Sequence, residues 1–319
     1  MLEITTIACV GAGLIGSSWS TLFSKEGYRV KAYDLNDTQI NKSKAIIDNN
    51  FNMLQTHGIM TADEVAQAKA RISHHTDLEE ALQGIDLIQE NVAEDLAEKQ
   101  ALLEKIDQID TTATFCSSSS AIKISLISQK SQYASRCVGA HPFNPPHLIP
   151  LVELTQWEKT DPEHLKRAYD FYKKVRKEPI ILNKEVVGFI GNRLQFAYTR
   201  EAVDLVMNGV CSVEDVDKAS LYGLGFRYAI IGPNLNGDLN GGENGLRDYY
   251  SKYGPTMNSI LADAARWDTM PEEYGQSIGP EGINKAKAVR PKEQGNTREE
   301  ILAYRDRMLL AILKLHNKI

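Results

Sequence analysis

The sequence predicts an α/β domain with a mostly parallel sheet, followed by a mainly α-helical C-terminal domain. Short apolar runs alternate with longer helical patterns through about the first 180 residues, as in parallel sheets covered by helices on both faces. Strand patterns then become scarce while helical periodicity continues. Because 319 residues are many for one core, we expect a first domain at residues 1–187 and a second at 188–319.

Strands and helices are expected to alternate in the first domain. The strands are short apolar runs, and the helices are longer stretches with apolar residues every three to four positions. The expected strands are residues 4–10, 29–34, 85–89, 113–116, 136–140, 149–154 and 178–182, and the expected helices are residues 14–25, 37–56, 61–71 and 96–109.

The second domain is expected to be built from amphipathic helices. Their apolar stripes predict helices at residues 189–207, 213–221, 243–253 and 297–317. The Gly- and Asn-rich residues 232–245 indicate an ordered loop, and residues 280–293 indicate a surface connection.

A glycine-rich loop follows the first predicted strand and opens the first predicted helix. In the run Gly11-Ala12-Gly13-Leu14-Ile15-Gly16, the first glycine permits a tight turn and the second lets a pyrophosphate approach the backbone. The third glycine lets the helix pack close to the strand, and the phosphates would lie at the positive end of the helix dipole. This context predicts a Rossmann-type dinucleotide site that includes Leu14 and Ile15.

Asp34 ends the second predicted strand, about 20 residues after the loop. A carboxylate there can accept hydrogen bonds from ribose hydroxyls and repels a 2′-phosphate. The following Leu35 and Asn36 supply no arginine to bind that phosphate, so the sequence favours NAD over NADP. A helix cap is the alternative role for Asp34, but Asn36 or Asp37 suits it better.

The composition is that of a globular protein, with 42% hydrophobic and 24% charged residues. The net charge of −6 and the lack of a Lys/Arg run argue against nucleic acid as a partner. No apolar stretch approaches the roughly 20 residues of a membrane span, and the first residues lack a signal-peptide pattern. We therefore expect a cytoplasmic protein with no membrane partner.

The cysteines do not indicate a disulfide framework or a metal site. Cys9, Cys116, Cys137 and Cys211 form no CxxC pair, and the first three lie in strand-like apolar runs. Buried reduced thiols are therefore expected.

Four further motifs lie in a fixed order along the chain. Residues 141–146 read His-Pro-Phe-Asn-Pro-Pro, and a Leu-Val-Glu run follows at 151–153. Four serines occupy residues 117–120, and residues 188–193 read Gly-Phe-Ile-Gly-Asn-Arg. From about residue 4 to residue 230, the chain resembles the 3-hydroxyacyl-CoA dehydrogenase family in the order and spacing of these motifs.

His141 is the candidate general base for alcohol oxidation. Removing a hydroxyl proton as hydride leaves the carbon suits an imidazole, which titrates near neutrality. Glu153 would accept a hydrogen bond from the other ring nitrogen and stabilise the imidazolium. A structural histidine in a proline-rich turn is the alternative reading of His141.

The resemblance implies further site residues. It places Ser120 and Asn192 on the substrate oxygens, although the serine run leaves Ser118 or Ser119 open and Asn192 could instead bond at a helix start. It also places Glu94 and Lys99 at the nicotinamide ribose, with a solvated helix surface as the alternative.

A metal site is not expected. Six histidines besides His141 lack metal-ligand spacing, and no carboxylate partner is assignable to them. They are His57, His74, His75, His147, His164 and His316.

Residues 223–233 and the doubled proline resemble the branch that contains lambda-crystallin, L-gulonate 3-dehydrogenase and the L-carnitine dehydrogenases. That branch implies a small free 3-hydroxy acid as substrate. Arg227 could bind its carboxylate in bidentate fashion, with an ion pair between helices as the alternative.

Two other functions remain open. A 3-hydroxyacyl-CoA would need basic side chains for its phosphates, and only Lys42 and Lys44 lie in the helix after Asp34. A crystallin-like structural role is opposed by the combination of Ser120, His141, Glu153 and Asn192.

The resemblance also implies a homodimer formed through the second domain. The apolar stripe of Phe196, Val203 and Val206 could belong to that interface or to an ordinary helical core.

Overall fold

The computed structural model describes residues 3–110 and 112–319, and within these ranges the chain forms one eight-stranded sheet. The strands are β1 (Thr6–Val10), β2 (Arg29–Tyr33), β3 (Ile72–His75), β4 (Leu87–Glu90), β5 (Thr114–Ser117), β6 (Cys137–Pro142), β7 (Leu151–Thr155) and β8 (Glu178–Ile181).

Helices follow most of the strands and then dominate the rest of the chain. Those that accompany the sheet are α1 (Leu14–Lys25), α2 (Asp37–Thr56), α3 (Ala62–Ala70), α4 (Leu78–Leu82), α5 (Leu96–Ile109), α6 (Ile124–Ile127) and α7 (Pro162–Lys174). The later helices are α8 (Gly191–Met207), α9 (Val213–Ala219), α10 (Phe226–Tyr228), α11 (Pro233–Asn240), α12 (Leu246–Asp263), α13 (Gly279–Ala288) and α14 (Arg298–Leu315).

The sheet has the strand order β3-β2-β1-β4-β5-β6-β7-β8, and only β6 and β7 pair antiparallel. The strand order reverses between β1 and β4, so the loops after these two strands diverge and leave a crevice. Apolar side chains on the two faces of the sheet form separate clusters, one around Trp19, Phe23 and Phe171 and the other around Leu103, Ile106 and Phe115. The predicted fold class is confirmed.

The chain divides into two compact units. The first contains the described residues up to Asn192 together with Asp306–Ile319, and the second is Arg193–Arg305. The end of α14 therefore belongs to the first unit, whereas the sequence-based division at residue 187 placed it in the second domain. Its side chains Leu310 and Leu313 are buried with Phe51 and Leu54 of α2.

Several elements were not predicted. The edge strand β3 carries Ser73, His74 and His75 in place of an apolar run, so its pairing with β2 is not visible in the sequence. The short helices α4 and α6 gave no periodic signal. The sequence did carry a helix-start signal for α7, because Asp161 caps this helix and Pro162 occupies its first turn.

Two predicted loops are helical. Residues 232–245 contain α11, where Pro233 starts the helix and Gly237 packs closely against Leu246 and Tyr249. Residues 280–293 contain most of α13, where Gly282 packs closely against Val213. In residues 232–245 glycine was taken as a loop signal, but in both helices its lack of a side chain permits close helix packing.

Within the described ranges, no helix combines the length and the apolar character that spanning a bilayer requires.

Candidate active site

The glycine loop lies at the carboxyl end of β1, next to the residues that follow β4. Gly11 has a φ of 88°, and a Cβ there would lie 2.8 Å from the carbonyl carbon of Asn91. A Cβ on Gly16 would lie 1.9 Å from the carbonyl oxygen of Gly11. Backbone conformation and close packing therefore require glycine at both positions.

Gly13 is different, because a Cβ there would meet no described atom within 4 Å. It is the N-cap of α1, no side chain caps the helix, and the first turn carries no acidic residue. The N–H groups at the start of α1, from Leu14 and Ile15 onward, therefore face an open surface at the positive end of the helix dipole. These features fit the pyrophosphate of a dinucleotide.

Asp34 lies beside this loop at the end of β2. Its Oδ2 accepts a hydrogen bond of 2.9 Å from the N–H of Ala12, and its Oδ1 accepts one of 2.7 Å from Leu35. Each oxygen keeps a lone pair for a ribose hydroxyl. The cap of α2 is Asn36, which accepts from the N–H of Gln39, so Asp34 is free of that role as expected.

His141 and Glu153 are direct partners across the antiparallel pair β6–β7. Nδ1 of His141 lies 2.8 Å from Oε2 of Glu153, whose side chain is 0% exposed. The carboxylate thus fixes Nδ1 as the protonated nitrogen of a neutral ring. No described residue forms a hydrogen bond with Nε2, which is the nitrogen left for a substrate proton.

The other oxygen of Glu153 binds the start of α8. Oε1 accepts hydrogen bonds of 2.8 Å from the N–H of Ile190 and 2.9 Å from that of Gly191. Burial alone would raise the pKa of Glu153, but the hydrogen bonds from His141, Gly191 and Ile190 outweigh it and hold that pKa below its usual range. The carboxylate is therefore ionised at neutral pH and can stabilise an imidazolium.

Two phenylalanines pack against the imidazole. The rings of Phe143 and Phe189 each lie 5.4 Å from the ring of His141, centroid to centroid. Phe189 has a φ of 52°, a left-handed conformation that is unusual for a bulky residue. A Cβ on Gly191 would lie 2.4 Å from Cζ of Phe143, so glycine is required for α8 to start this close to the histidine.

The serine run forms a turn after β5, and its hydroxyl groups have distinct environments. Ser117 donates to Glu90, and Ser119 donates to Glu94, each at 2.6 Å. The hydroxyl of Ser118 donates a hydrogen bond to the side-chain oxygen of Asn91. It accepts hydrogen bonds from the indole N–H of Trp19 and the amide N–H of Gln89.

Ser120 is the exposed member of this run, and no described residue hydrogen-bonds its hydroxyl. Its carbonyl oxygen accepts a hydrogen bond of 3.0 Å from Nδ2 of Asn192, at the start of α8. The structure therefore brings Ser120 and Asn192 together, and Ser118 and Ser119 have their hydroxyls committed to other groups.

Glu94 and Lys99 also lie beside this turn. Glu94 accepts hydrogen bonds from the turn itself. The ammonium of Lys99 is 1% exposed and lies 2.8 Å from the buried carboxylate of Glu90, so Lys99 is not solvated helix surface. Whether either side chain contacts a cofactor stays a prediction.

Sequence reasoning missed the polar side chains at the end of β4. Gln89, Glu90 and Asn91 are held by the serine turn and by Lys99. The available signal was their position: polar residues that end an apolar strand of a parallel sheet lie where ligands bind.

Lys177 was also missed. Its buried ammonium donates to the carbonyl oxygens of Pro146 and Ile149, in the loop that joins β6 to β7, and lies 4.9 Å from the ring centre of Trp19. Burial lowers the pKa of Lys177 to about 7. Lys177 therefore stabilises the loop that connects β6, which carries His141, to β7, which carries Glu153.

The second unit contains the predicted carboxylate-binding residue Arg227, on α10. It is exposed, and no carboxylate in the described ranges forms an ion pair with it. Val203 of α8 is buried whereas Phe196 is exposed, so the predicted stripe is only partly core. In the described part of the chain, no group of three or more His, Cys, Asp or Glu side chains could hold a metal ion.

Comparison with known proteins agrees with this geometry. Residues 6–186 match the family "3-hydroxyacyl-CoA dehydrogenase, NAD binding domain", and residues 188–279 match "3-hydroxyacyl-CoA dehydrogenase, C-terminal domain". The chain is 37% identical over 256 residues to L-carnitine dehydrogenase of Bacillus cereus, a match that covers 80% of this chain and 77% of the relative. It is 34% identical over 315 residues to the lambda-crystallin homolog of Bos taurus, with 98% of this chain and 96% of the relative covered.

A solved structure is similar over nearly the full length. It is 5-formyl-3-hydroxy-2-methylpyridine 4-carboxylic acid 5-dehydrogenase, an NAD+-dependent dismutase. The TM-score is 0.81 at 28% identity, and the match covers 98% of both chains. The chain therefore belongs to the 3-hydroxyacyl-CoA dehydrogenase family and is an NAD-dependent dehydrogenase.

Proposed function

We propose that this chain oxidises the 3-hydroxyl group of a small free 3-hydroxy acid, such as carnitine or gulonate, to the 3-keto acid. The observation that carries the chemistry is the His141–Glu153 pair, joined at 2.8 Å with Nε2 of the imidazole left without a described partner. NAD, held by the glycine loop and Asp34, would supply the hydride acceptor for this oxidation. Nε2 of His141 takes the hydroxyl proton as the carbon–oxygen double bond forms.

The other site residues stabilise this proton transfer. Glu153 holds the imidazole in one tautomer and lies against the positive charge that develops on it. The hydroxyl of Ser120 and the remaining amide N–H of Asn192 donate to the substrate oxygen and polarise the group that becomes a ketone. Glu153 also binds the two residues before Asn192, so one carboxylate supports both sides of the site.

A free acid is the preferred substrate class for three reasons. The relative from Bacillus cereus is named for L-carnitine, a free 3-hydroxy acid. Arg227 is exposed without a described carboxylate partner and suits a substrate carboxylate. Lys42 and Lys44 are exposed, but two lysines are few for the phosphates of CoA.

A 3-hydroxyacyl-CoA is the second candidate, because both domains match a family described by that substrate. A crystallin-like structural role is the third candidate function and the least supported. Such a role would not require a buried His141–Glu153 pair, nor a Ser120 hydroxyl without a described hydrogen-bond partner.

An absorbance assay of NADH tests these alternatives on L-carnitine, L-gulonate, 3-hydroxybutyrate and acetoacetyl-CoA. We expect NADH to form with at least one free acid. Oxidation of NADH by acetoacetyl-CoA without turnover of any free acid would overturn the small-acid proposal in favour of the CoA thioester. No turnover on the whole panel would favour the structural role.

We also propose that the protein is a cytoplasmic homodimer. Free cysteines, three of them buried, suit a reducing compartment. The second unit exposes large apolar side chains that a second copy of the chain would cover, and light scattering should then give twice the mass of one chain. These side chains include Leu221, Phe226, Ile230, Leu239 and Leu261.

A further inference from the structure

The ammonium of Lys177 is buried where helix α1 meets the loop between β6 and β7. Lys177 is 3% exposed, and its Nζ donates hydrogen bonds to the carbonyl oxygens of Pro146 and Ile149 in that loop. The same atom lies 4.9 Å from the ring centre of Trp19 in α1, a distance at which a cation is attracted to an aromatic ring. One side chain therefore contacts two segments of the site.

Burial of this ammonium is unfavourable for folding. Burial lowers the pKa of Lys177 to about 7, and no carboxylate in the described ranges offsets that effect by an ion pair. A methionine would fill much of the same space without the cost of removing a charge from water. Groups buried at such a cost are concentrated at functional sites.

The β6–β7 loop, residues 143–150, needs hydrogen-bond donors from outside. Pro145 and Pro146 have no N–H groups, so the loop can satisfy few of its own carbonyl groups. The N–H groups of Leu148 and Ile149 both donate to the carbonyl oxygen of Pro145, each at 2.9 Å. The carbonyl oxygens of Pro146 and Ile149 are bound by Lys177, which supplies donors that buried carbonyl groups require.

The same loop adjoins the general base. It begins with Phe143, whose ring lies 5.4 Å from the ring of His141, so a shift of the loop would alter the packing of the imidazole. The loop also contacts α1 through His147, whose N–H donates a hydrogen bond of 2.9 Å to the hydroxyl oxygen of Ser18. Lys177 and Ser18 thus hold the loop against α1 from two sides.

Trp19 extends these contacts to the serine turn. Its indole N–H donates a hydrogen bond of 3.1 Å to the hydroxyl oxygen of Ser118, two residues before Ser120. Helix α1 itself begins at the glycine loop. The Lys177–Trp19 contact therefore lies between the segments that carry the base, the serine turn and the dinucleotide loop.

We propose that Lys177 is a positioning residue for the proton transfer. Packed on Trp19, its ammonium holds the β6–β7 loop against α1 and so keeps the imidazole of His141 aligned with the substrate hydroxyl. The inference rests on the proposed function, because it takes His141 as the general base.

A purely structural lysine would give a different result. Its loss would lower the fraction of folded chains, so that turnover and NADH binding would fall together. Loss of a positioning group instead slows the chemical step in sites that still bind NADH, because a small displacement of a catalytic group is enough to lower the rate.

Lys177→Met tests the proposal, since it keeps much of the apolar stem and removes the ammonium. The measurements are kcat and KM on the free acid that turns over fastest, and the Kd and stoichiometry of NADH by fluorescence titration. Counted per NADH site, kcat should fall at least about tenfold, while the Kd of NADH changes less than about twofold.

A double variant and a control make the test specific. In the His141→Gln background, Lys177→Met should lower kcat less than about twofold further, since no base remains to be positioned. Lys174→Met removes an exposed ammonium three residues earlier, which pairs with Glu3 at 3.0 Å. This control should leave kcat and the melting temperature nearly unchanged.

Several results would overturn the proposal. A fall in NADH stoichiometry that parallels the fall in kcat would assign Lys177 a purely structural role. Full kcat in Lys177→Met, or losses that multiply in the double variant, would show that the ammonium does not act through His141. If His141→Gln alone keeps the wild-type rate, the proposed function fails and this inference fails with it, whereas multiplied losses contradict the inference alone.

Discussion

At the scale of single residues, the proton transfer depends on which nitrogen of His141 is free. Glu153 occupies Nδ1, so Nε2 can act as a base only while the ring stays in that tautomer. The packing of Phe143 and Phe189 against the ring limits its rotation. The geometry thus supports one orientation of the base.

His141→Gln should lower kcat by at least about 100-fold, the usual contribution of a positioned general base. A glutamine side chain is close in size, so the Kd of NADH should change less than about twofold. Stopped-flow turnover and NADH fluorescence measure the two quantities. A variant that keeps more than a few per cent of the wild-type rate would show that His141 is not the base.

Asp34→Ser should weaken NAD binding and relax the discrimination against NADP. The carboxylate lies beside the glycine loop, where it repels a 2′-phosphate, and serine removes that charge. The ratio of kcat/KM for NAD to that for NADP should fall on the order of tenfold or more. Asp37→Ser, at an exposed neighbour in α2, is the matched control. An unchanged ratio would refute the role of Asp34.

At the scale of elements, each glycine of the loop has a separate physical requirement. Gly13→Ala adds a methyl group where no described atom lies within 4 Å, so the melting temperature should stay within about 2 °C of wild type while NADH affinity falls. Gly16→Ala places the methyl group 1.9 Å from a carbonyl oxygen of Gly11 and should destabilise the fold itself. Calorimetry and NADH titration separate the two effects, and equal melting temperatures for both variants would contradict this reading.

Glu153 joins β7 to the start of α8, and the link should appear in the pH dependence of stability. Its pKa in the folded protein lies below its ordinary value of 4.5, so the stabilisation is complete above that pH. It is lost as the pH falls through the folded pKa.

Urea unfolding at pH 7 and pH 4 measures this contribution. Wild type should lose more free energy of unfolding between the two pH values than Glu153→Gln, which carries no titrating carboxyl group. Glu79→Gln, at an exposed site, should behave as wild type. Equal losses in wild type and Glu153→Gln would mean that this carboxylate does not contribute.

The sequence predicted those parts of the fold and site that depend on local patterns. The glycine loop follows a strand, so its position followed from the local pattern. His141 and Glu153 lie in runs that resemble those of the family, and that resemblance identified them. The register that pairs them across β6–β7 is a tertiary feature, as are the contacts of Glu90 with Lys99 and Ser117. Periodicity in the sequence does not show which polar side chains meet after folding. The glycine-rich residues of α11 were predicted to form a loop because close helix packing is also a tertiary property.

At the scale of the whole molecule, the last residues of the sequence belong to the first unit. Residues from Asp306 onward belong to that unit, although more than a hundred residues of the second unit precede them. Leu310 and Leu313 complete a core with Phe51, Leu54 and Leu148. The first unit therefore depends on residues that a division at residue 187 would remove.

Leu313→Ala tests this dependence. Leu313 is 6% exposed in the core around α2, whereas Leu315, two residues later in the same helix, is 83% exposed. Truncation of a buried leucine to alanine costs about 2 to 5 kcal/mol through lost burial and the cavity it leaves, and the same change at an exposed position costs less than about 0.5 kcal/mol. In a Trp267→Phe background the remaining tryptophans, Trp19 and Trp157, both lie in the first unit. Urea unfolding followed by their fluorescence should show the larger loss for Leu313→Ala only. Equal losses for the two variants would mean that the end of α14 does not stabilise the nucleotide-binding unit.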